Sequence, residues 1–227
     1  MAAAPEPTAS AVLIVDDHEL VATSLVLSLR GEGIAAHHCG SSGGAEGVLA
    51  AAAGHAPGLV LLDLDLGRDA SGRRVDGVRL VAPLRASGWR VLLLSGSADH
   101  ARIGAGLAEG AMAWVPKNAP FPTLLAAVGD ALAGREVMTR ARREQFIALH
   151  RRRAGEQDEL HAKLSRLTPR EREVLALLAS GQRAQAVADR FVVSLATVRT
   201  QIRAVLTKLE VGSQLEAVAL YRKAVGR

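Results

Sequence analysis

The sequence has a single cysteine, Cys39, and therefore no internal disulfide; this fits a reducing compartment, and a cytoplasmic protein is expected. Aromatic residues make up only 3% of the chain, which leaves Ala, Val and Leu to fill its cores. No uncharged apolar run reaches the ~18 residues that a membrane-spanning helix needs, so no membrane partner is expected. Met1 to Thr8 lacks the basic flank and apolar stretch of a secretory signal, and residues 1–10 read as a flexible leader. What is present is 49% hydrophobic residues, which excludes wholesale disorder, and 227 residues, enough for two modest domains.

Charge is divided unevenly. Residues 1–134 hold 9 Lys/Arg against 13 Asp/Glu, a balance of −4, and residues 135–227 hold 19 against 10, a balance of +9. An acidic half joined to a basic half implies two jobs, with a polyanion as the partner of the second.

Leu59-Val60-Leu61-Leu62 runs without a break into Asp63. A strand buried on both faces reads this way, because helices covering a parallel sheet leave neither face wet. Ala11 to Val15 is a similar run ending in Asp16-Asp17, Val91 to Leu94 ends in Ser95, and Met112 to Val115 ends in Pro116-Lys117. Ile34 to Cys39 is a weaker strand. Helical spacing lies between these strands: Glu19 to Arg30, Ser41 to Ala53, Asp76 to Arg85 (weakened by Pro83), Asp99 to Glu109 and Pro120 to Ala133. Strict alternation predicts a doubly wound, five-stranded parallel sheet with right-handed crossovers. In such a sheet every strand's carboxyl end lies on one edge, where ligands bind. Asp16, Asp17, Asp63, Ser95 and Lys117 converge there by topology. Three carboxylates with few neutralising neighbours call for a cation, and oxygen ligands suit Mg²⁺. A carboxylate can also attack a phosphoryl donor, with a lysine and a metal neutralising the transferring group.

Val-Asp16-Asp17-His, Leu-Leu-Asp63-Leu, Leu-Ser95-Gly and Pro-Lys117 together resemble the receiver domain of a bacterial two-component response regulator, over residues 11–133. The resemblance implies Asp63 as phospho-acceptor, Asp16 and Asp17 as the acidic Mg²⁺ pair, and the main-chain carbonyl of Asp65 as a further metal ligand. Ser95 becomes the switch hydroxyl, Lys117 the phosphate-binding lysine, and Trp114 stands where such domains carry a Tyr or Phe switch ring. One departure lies beside the acceptor: Gly67 to Val75 is an additional Gly- and Arg-containing loop. It leaves open a regulator that keeps the fold and works without phosphate. Asp63-Leu-Asp65 also resembles the DxD of haloacid-dehalogenase-type phosphatases, but that motif normally follows a first strand, and here it follows the third. His37-His38-Cys39 reads as strand filler, since neighbouring side chains on a strand point to opposite faces. Gly104 to Gly110 has the wrong spacing for a dinucleotide fingerprint, and Trp89 is expected to pack on the sheet.

Residues 134–165 are charged helix formers, broken at Ala154-Gly155, and read as a linker of two helical pieces around a hinge. Its arginines, including Arg151 to Arg153, face DNA phosphates, the acidic half or only water. From residue 166 the pattern changes. Thr168-Pro169-Arg170-Glu171 is a capping box that opens a helix, and Ser213 to Glu216 opens the last one. Between them a short helix, a turn and a helix from Ser194 to about Glu210 make a helix-turn-helix pattern. The longer helix carries Leu195, Val198, Ile202 and Val205 on one side, and Thr197, Arg199, Thr200, Arg203 and Lys208 on the other. Residues 166–224, within a last domain of residues 166–227, resemble the LuxR-type DNA-binding domain of NarL/FixJ-class response regulators, through Leu167-Thr-Pro-Arg-Glu-Arg-Glu-Val-Leu175, Gly181, Thr197-Val198-Arg199 and Lys208-Leu209. The resemblance implies double-stranded DNA as a partner of those polar side chains, with phosphorylation by a sensor histidine kinase controlling homodimerisation. The chain is then a cytoplasmic transcription factor and not an enzyme.

Overall fold

A computed structural model describes residues 11–96 and 99–225; the expected leader lies outside the described residues. The chain divides into two compact units, residues 1–151 and 152–227.

The first unit is a parallel sheet of β1 (Val12–Val15), β2 (Ala36–Cys39), β3 (Leu59–Asp63), β6 (Arg90–Ser95) and β7 (Ala113–Pro116), in the order β2-β1-β3-β6-β7. Between the strands run α1 (Glu19–Gly31), α2 (Gly44–Ala53), α3 (Val78–Ala86), α4 (His100–Ala108) and, after β7, α5 (Phe121–Leu132). Alternate residues of each central strand go to opposite layers. Leu13, Val15, Val60, Leu62, Val91 and Leu93 join one apolar cluster, with Trp89, and Val12, Ile14, Leu59, Leu61, Leu92 and Leu94 join another. Both faces are therefore dry, which is why these strands carry unbroken apolar runs. Glycine makes one approach possible at the sheet edge: a Cβ on Gly77 would collide with the carbonyl oxygen of Asp63.

The segment after β3 is not a loop. Asp65–Arg68 (β4) and Arg74–Asp76 (β5) pair as an antiparallel hairpin, and α3 consequently starts at Val78 rather than Asp76. Asp69 organises the turn: its Oδ1 accepts from Ser71 N (2.9 Å), Ser71 Oγ (2.6 Å) and Arg73 N (2.9 Å). Leu66 and Val75 turn inward into the core. The hairpin is tied to the β2–α2 loop by Ser41 Oγ donating to Leu66 O (2.8 Å) and Ala70 N to Ser42 O (3.0 Å). Strands of 3–4 residues are too short for alternation to register, which is why sequence alone reads a loop here.

The linker also differs from expectation. Arg140–Ser165 (α6) is one continuous helix of 26 residues, running through Ala154 and Gly155. A lone glycine costs a helix interior only about 0.5–1 kcal/mol, and strong helix formers on both sides carry it. The i,i+4 pairs Arg140–Glu144 (2.8 Å) and Arg152–Glu156 (3.7 Å) add a little.

The second unit packs α7 (Pro169–Ala179), α8 (Ala184–Phe191), α9 (Leu195–Leu209) and α10 (Gln214–Val225) around two small clusters. Thr168 Oγ1 accepts from Glu171 N, and Glu171 reaches back to Thr168 N (2.8 Å), completing the expected capping box. At α10 the box is looser: Ser213 Oγ caps Glu216 N (3.2 Å), while Glu216 returns to Gly212 N (3.1 Å). Leu160 of α6 is buried, and Leu164 packs on the α7–α9–α10 cluster.

Nothing lies within 4 Å of a Cβ at Gly155. Gly155→Ala is expected to raise stability by about 0.5–1 kcal/mol in urea titrations. A loss of stability would mean that this position bends as a hinge after all.

Candidate functional site

Asp63 and Ser95 end β3 and β6, Asp16 directly follows β1, and all three are almost fully buried. Lys117, just past β7, places Nζ 2.7 Å from Asp63 Oδ2 and 2.6 Å from Asp16 Oδ2. The register supports the convergence, because Ser95 pairs with Pro116 and Asp63 with Leu94. Asp65 N donates to Asp63 Oδ1 (3.2 Å), and His18 N donates to Asp16 Oδ1 (2.9 Å). Ligand atoms of Asp16, Asp17, Asp63 and His18 all lie within 4.8 Å of one another. Sequence reasoning did not single out His18, whose Nδ1 is 2.8 Å from Asp17 Oδ1. Its only signal was its place directly after the acid pair.

Burial pushes the Asp63 carboxyl above the usual range, and the hydrogen bond and charge of Lys117 offset only part of that. For Lys117, burial pulls the ammonium down, but hydrogen bonds to Asp16 and Asp63 outweigh it and hold it above its ordinary value. The lysine stays charged, and it is one cation among three carboxylates. That surplus of negative oxygen, with an imidazole beside it, is a donor set that fits a divalent cation.

Asp65 points its carboxylate elsewhere. It lies 3.2 Å from Arg74 Nη2 and 4.0 Å from Arg102 Nη1, outside the acidic cluster. Trp114, on β7, is half-buried among His100 and Phe146, with ring centroids 6.1 and 5.7 Å away. A cavity of about 500 Å³ opens beside Asp16 and Asp17, walled on one side by Ser41 and Ser42 and on another by Leu66 and Arg68 of the hairpin.

The second cluster of expected residues is on α9. Ser194 Oγ caps its start, accepting from Thr197 N (3.1 Å) with Thr197 Oγ1 at 2.9 Å. Thr197, Arg199, Thr200 and Arg203 are all exposed. Thr200 Oγ1 donates back to Ala196 O (3.1 Å), whereas the Arg199 and Arg203 guanidinium groups have no hydrogen-bond or ion-pair partner among the described residues. Lys208 differs from the reading that placed it with them. Its ammonium bonds both oxygens of Glu171, at 2.9 and 2.7 Å, so it fastens α9 to the start of α7.

Two outcomes follow. Gly67 has φ +64°, and a Cβ there would lie 2.7 Å from Asp17 Oδ2. Gly67→Ala is expected to weaken divalent-cation affinity about tenfold by displacing that carboxylate, measured by calorimetric titration. Burial pushes Glu171 up, but bonds from Lys208 and Thr168 pull it below its usual 4.5. A lowered carboxylate contributes stability above the unfolded value, and that contribution is lost as pH falls through the folded one. Glu171→Gln is therefore expected to lower the Tm of this unit by a few degrees at pH 7 and to match the parent in strong acid. An equal gap at both pH values would refute the ion pair as its cause.

Residues 12–129 match the family described as the response regulator receiver domain, and residues 165–221 the bacterial regulatory proteins of the luxR family. Among curated proteins, the transcriptional activator protein ExaE of Pseudomonas putida is 30% identical over 212 residues, covering 92% of this chain and 94% of that one. The probable transcriptional regulatory protein NarL of Mycobacterium tuberculosis is 29% identical over 217 residues, covering 95% and 94%. In fold, the chain resembles the two-component response regulator RcsB solved in a DNA complex, with a TM-score of 0.50 at 22% identity over 95% of this chain and 98% of that one. An acid cluster at the sheet edge, followed by a helix-turn-helix, thus places this chain in the response regulator family, as a transcription regulator with a receiver domain and a LuxR-type DNA-binding domain.

Proposed function

We propose that Asp63 is the acceptor of a phosphoryl group from a sensor histidine kinase, and that its phosphorylation controls homodimerisation and binding to double-stranded DNA. The observation that carries this is the position of Asp63: buried at the end of the central strand and hydrogen-bonded to Lys117 at 2.7 Å. An Asp63 oxygen attacks phosphorus, the bond from phosphorus to the donor histidine breaks, and the imidazole leaves with the electron pair. Mg²⁺ held by Asp16, Asp17 and Asp63, with the main-chain oxygen of Asp65, would neutralise charge on the phosphoryl oxygens. Lys117 exchanges its bond to Asp63 for one to a phosphoryl oxygen. Ser95 then supplies a hydroxyl to another, and Trp114 responds to that movement. The phosphoryl group stays on the chain, so this is a switch and not a turnover enzyme.

On α9, Arg199 and Arg203 are one turn apart and solvent-facing, and with Thr197 and Thr200 they make the surface offered to the major groove. Lys208 keeps its tie to Glu171 and is secondary. A cytoplasmic regulator belongs to the same reading; among the described residues no helix is long and apolar enough to cross a membrane.

One experiment tests the whole. Oligomeric state and DNA affinity are measured on the same sample, with and without beryllofluoride and Mg²⁺. The mimic is expected to yield dimers and tighter binding in the parent, and neither in Asp63→Asn. Arg203→Ala is expected to lose about tenfold or more in affinity while still dimerising. A parent that ignores the mimic while binding DNA would leave a phosphate-independent regulator.

A further inference from the structure

The first turns of α6 are built into the receiver. Arg143 donates to Leu107 O (2.6 Å), Ala111 O (2.6 Å) and Met112 O (3.1 Å), taking up carbonyls at the end of α4 and in the loop to β7. Phe146 is 9% exposed and stands edge-on to both Trp114 and His100, at 5.7 and 5.1 Å. Met138 and Ile147 pack on the same cluster. Gly104 of α4 lies so close that a Cβ there would collide with the carbonyl oxygen of Phe146. The helices touch backbone to backbone, without slack.

This seat has costs. The Trp114 indole Nε1 is buried with no hydrogen-bond partner among the described residues, and a buried donor without a partner is expensive. Arg143 also lies within electrostatic reach of a second cation, Arg85. The docked form thus holds an unpaired donor and a like-charge pair that undocking relieves. Its centre is Trp114, and two residues further along β7 lies Pro116, the register partner of Ser95.

We propose that residues 140–150 of α6 form an autoinhibitory latch on the α4–β7 face, seated by Phe146 and Arg143 while Asp63 is unmodified and released on its phosphorylation. This rests on the phosphoswitch reading for its trigger, but the latch itself is a property of the unmodified chain. While seated, it occupies the face that a moving Trp114 would present. Released, it frees that face for a second copy of the chain.

The test is amide hydrogen exchange of residues 140–150 in the full chain. Beryllofluoride with Mg²⁺ is expected to speed exchange about tenfold or more in the parent and not in Asp63→Asn. Phe146→Ala is expected to do so without the mimic, with β3 amides still protected, and to tighten DNA binding of the unmodified chain. Should Phe146→Ala fail to fold, Phe146→Leu keeps apolar bulk, removes the ring contacts and carries the same expectations. Dimers formed on adding the mimic, with residues 140–150 equally or better protected, would overturn the latch and leave the phosphoswitch standing. If the mimic does nothing, the phosphoswitch fails, and the Phe146 variants still decide: faster exchange and tighter binding uphold the latch, and unchanged values overturn it.

Discussion

Too little positive charge for three gathered carboxylates, two of them buried, is the constraint around which the receiver is arranged. Asp16, Asp17 and Asp63 are brought together by the ends of two adjacent parallel strands, and the only lysine at that edge bridges two of them. Separated, each acid would be solvated and ordinary. Gathered, they repel one another and form a donor set whose charge an external cation, together with Lys117, would balance. The fold supplies the rigidity to hold them. Central strands with both faces dry cannot slide without moving whole apolar layers, so the strand ends stay in register and the acids cannot relax apart.

Most of this could be read from the chain itself. The apolar runs before Asp16, Asp63 and Ser95 identify buried strands, and the rule that parallel strands share a carboxyl edge brings distant residues together without coordinates. What was not legible depends on tertiary context. The hairpin at Asp65 to Asp76 has strands too short for periodicity, and its cues were only Leu66 and Val75 flanking the turn residues Asp69 to Gly72. The linker glycine reads as a break because propensity is local, whereas helix continuity is set by 26 residues together. Lys208 shares a helix with Arg199 and Arg203, and spacing cannot reveal that Glu171, 37 positions earlier, takes its charge.

Helix α9 shows how structural and exposed side chains divide one surface. Val198, Val205 and Leu209 are buried, and Lys208 and Ser194 fix its ends. The two arginines between are left without partners among the described residues, a state that water tolerates and that phosphate or base edges improve. The turn before it carries a local cost. Val192 has φ +54° and is 90% exposed, a conformation in which a β-branched residue gains nothing from packing.

Glu210 makes the end of α9 and the end of the linker a single object. It takes the left-handed position that closes α9, and the same carboxylate holds Lys163 at 3.0 Å and Arg166 at 2.7 Å. From the same stretch of α6, Leu164 packs on the α7–α9–α10 cluster and Leu160 is buried. A cut placed just before the capping box at Thr168 would therefore amputate part of the DNA-binding unit's own wall. Judged by what packs together, that unit begins inside α6 at Arg152 and takes in the second half of that helix.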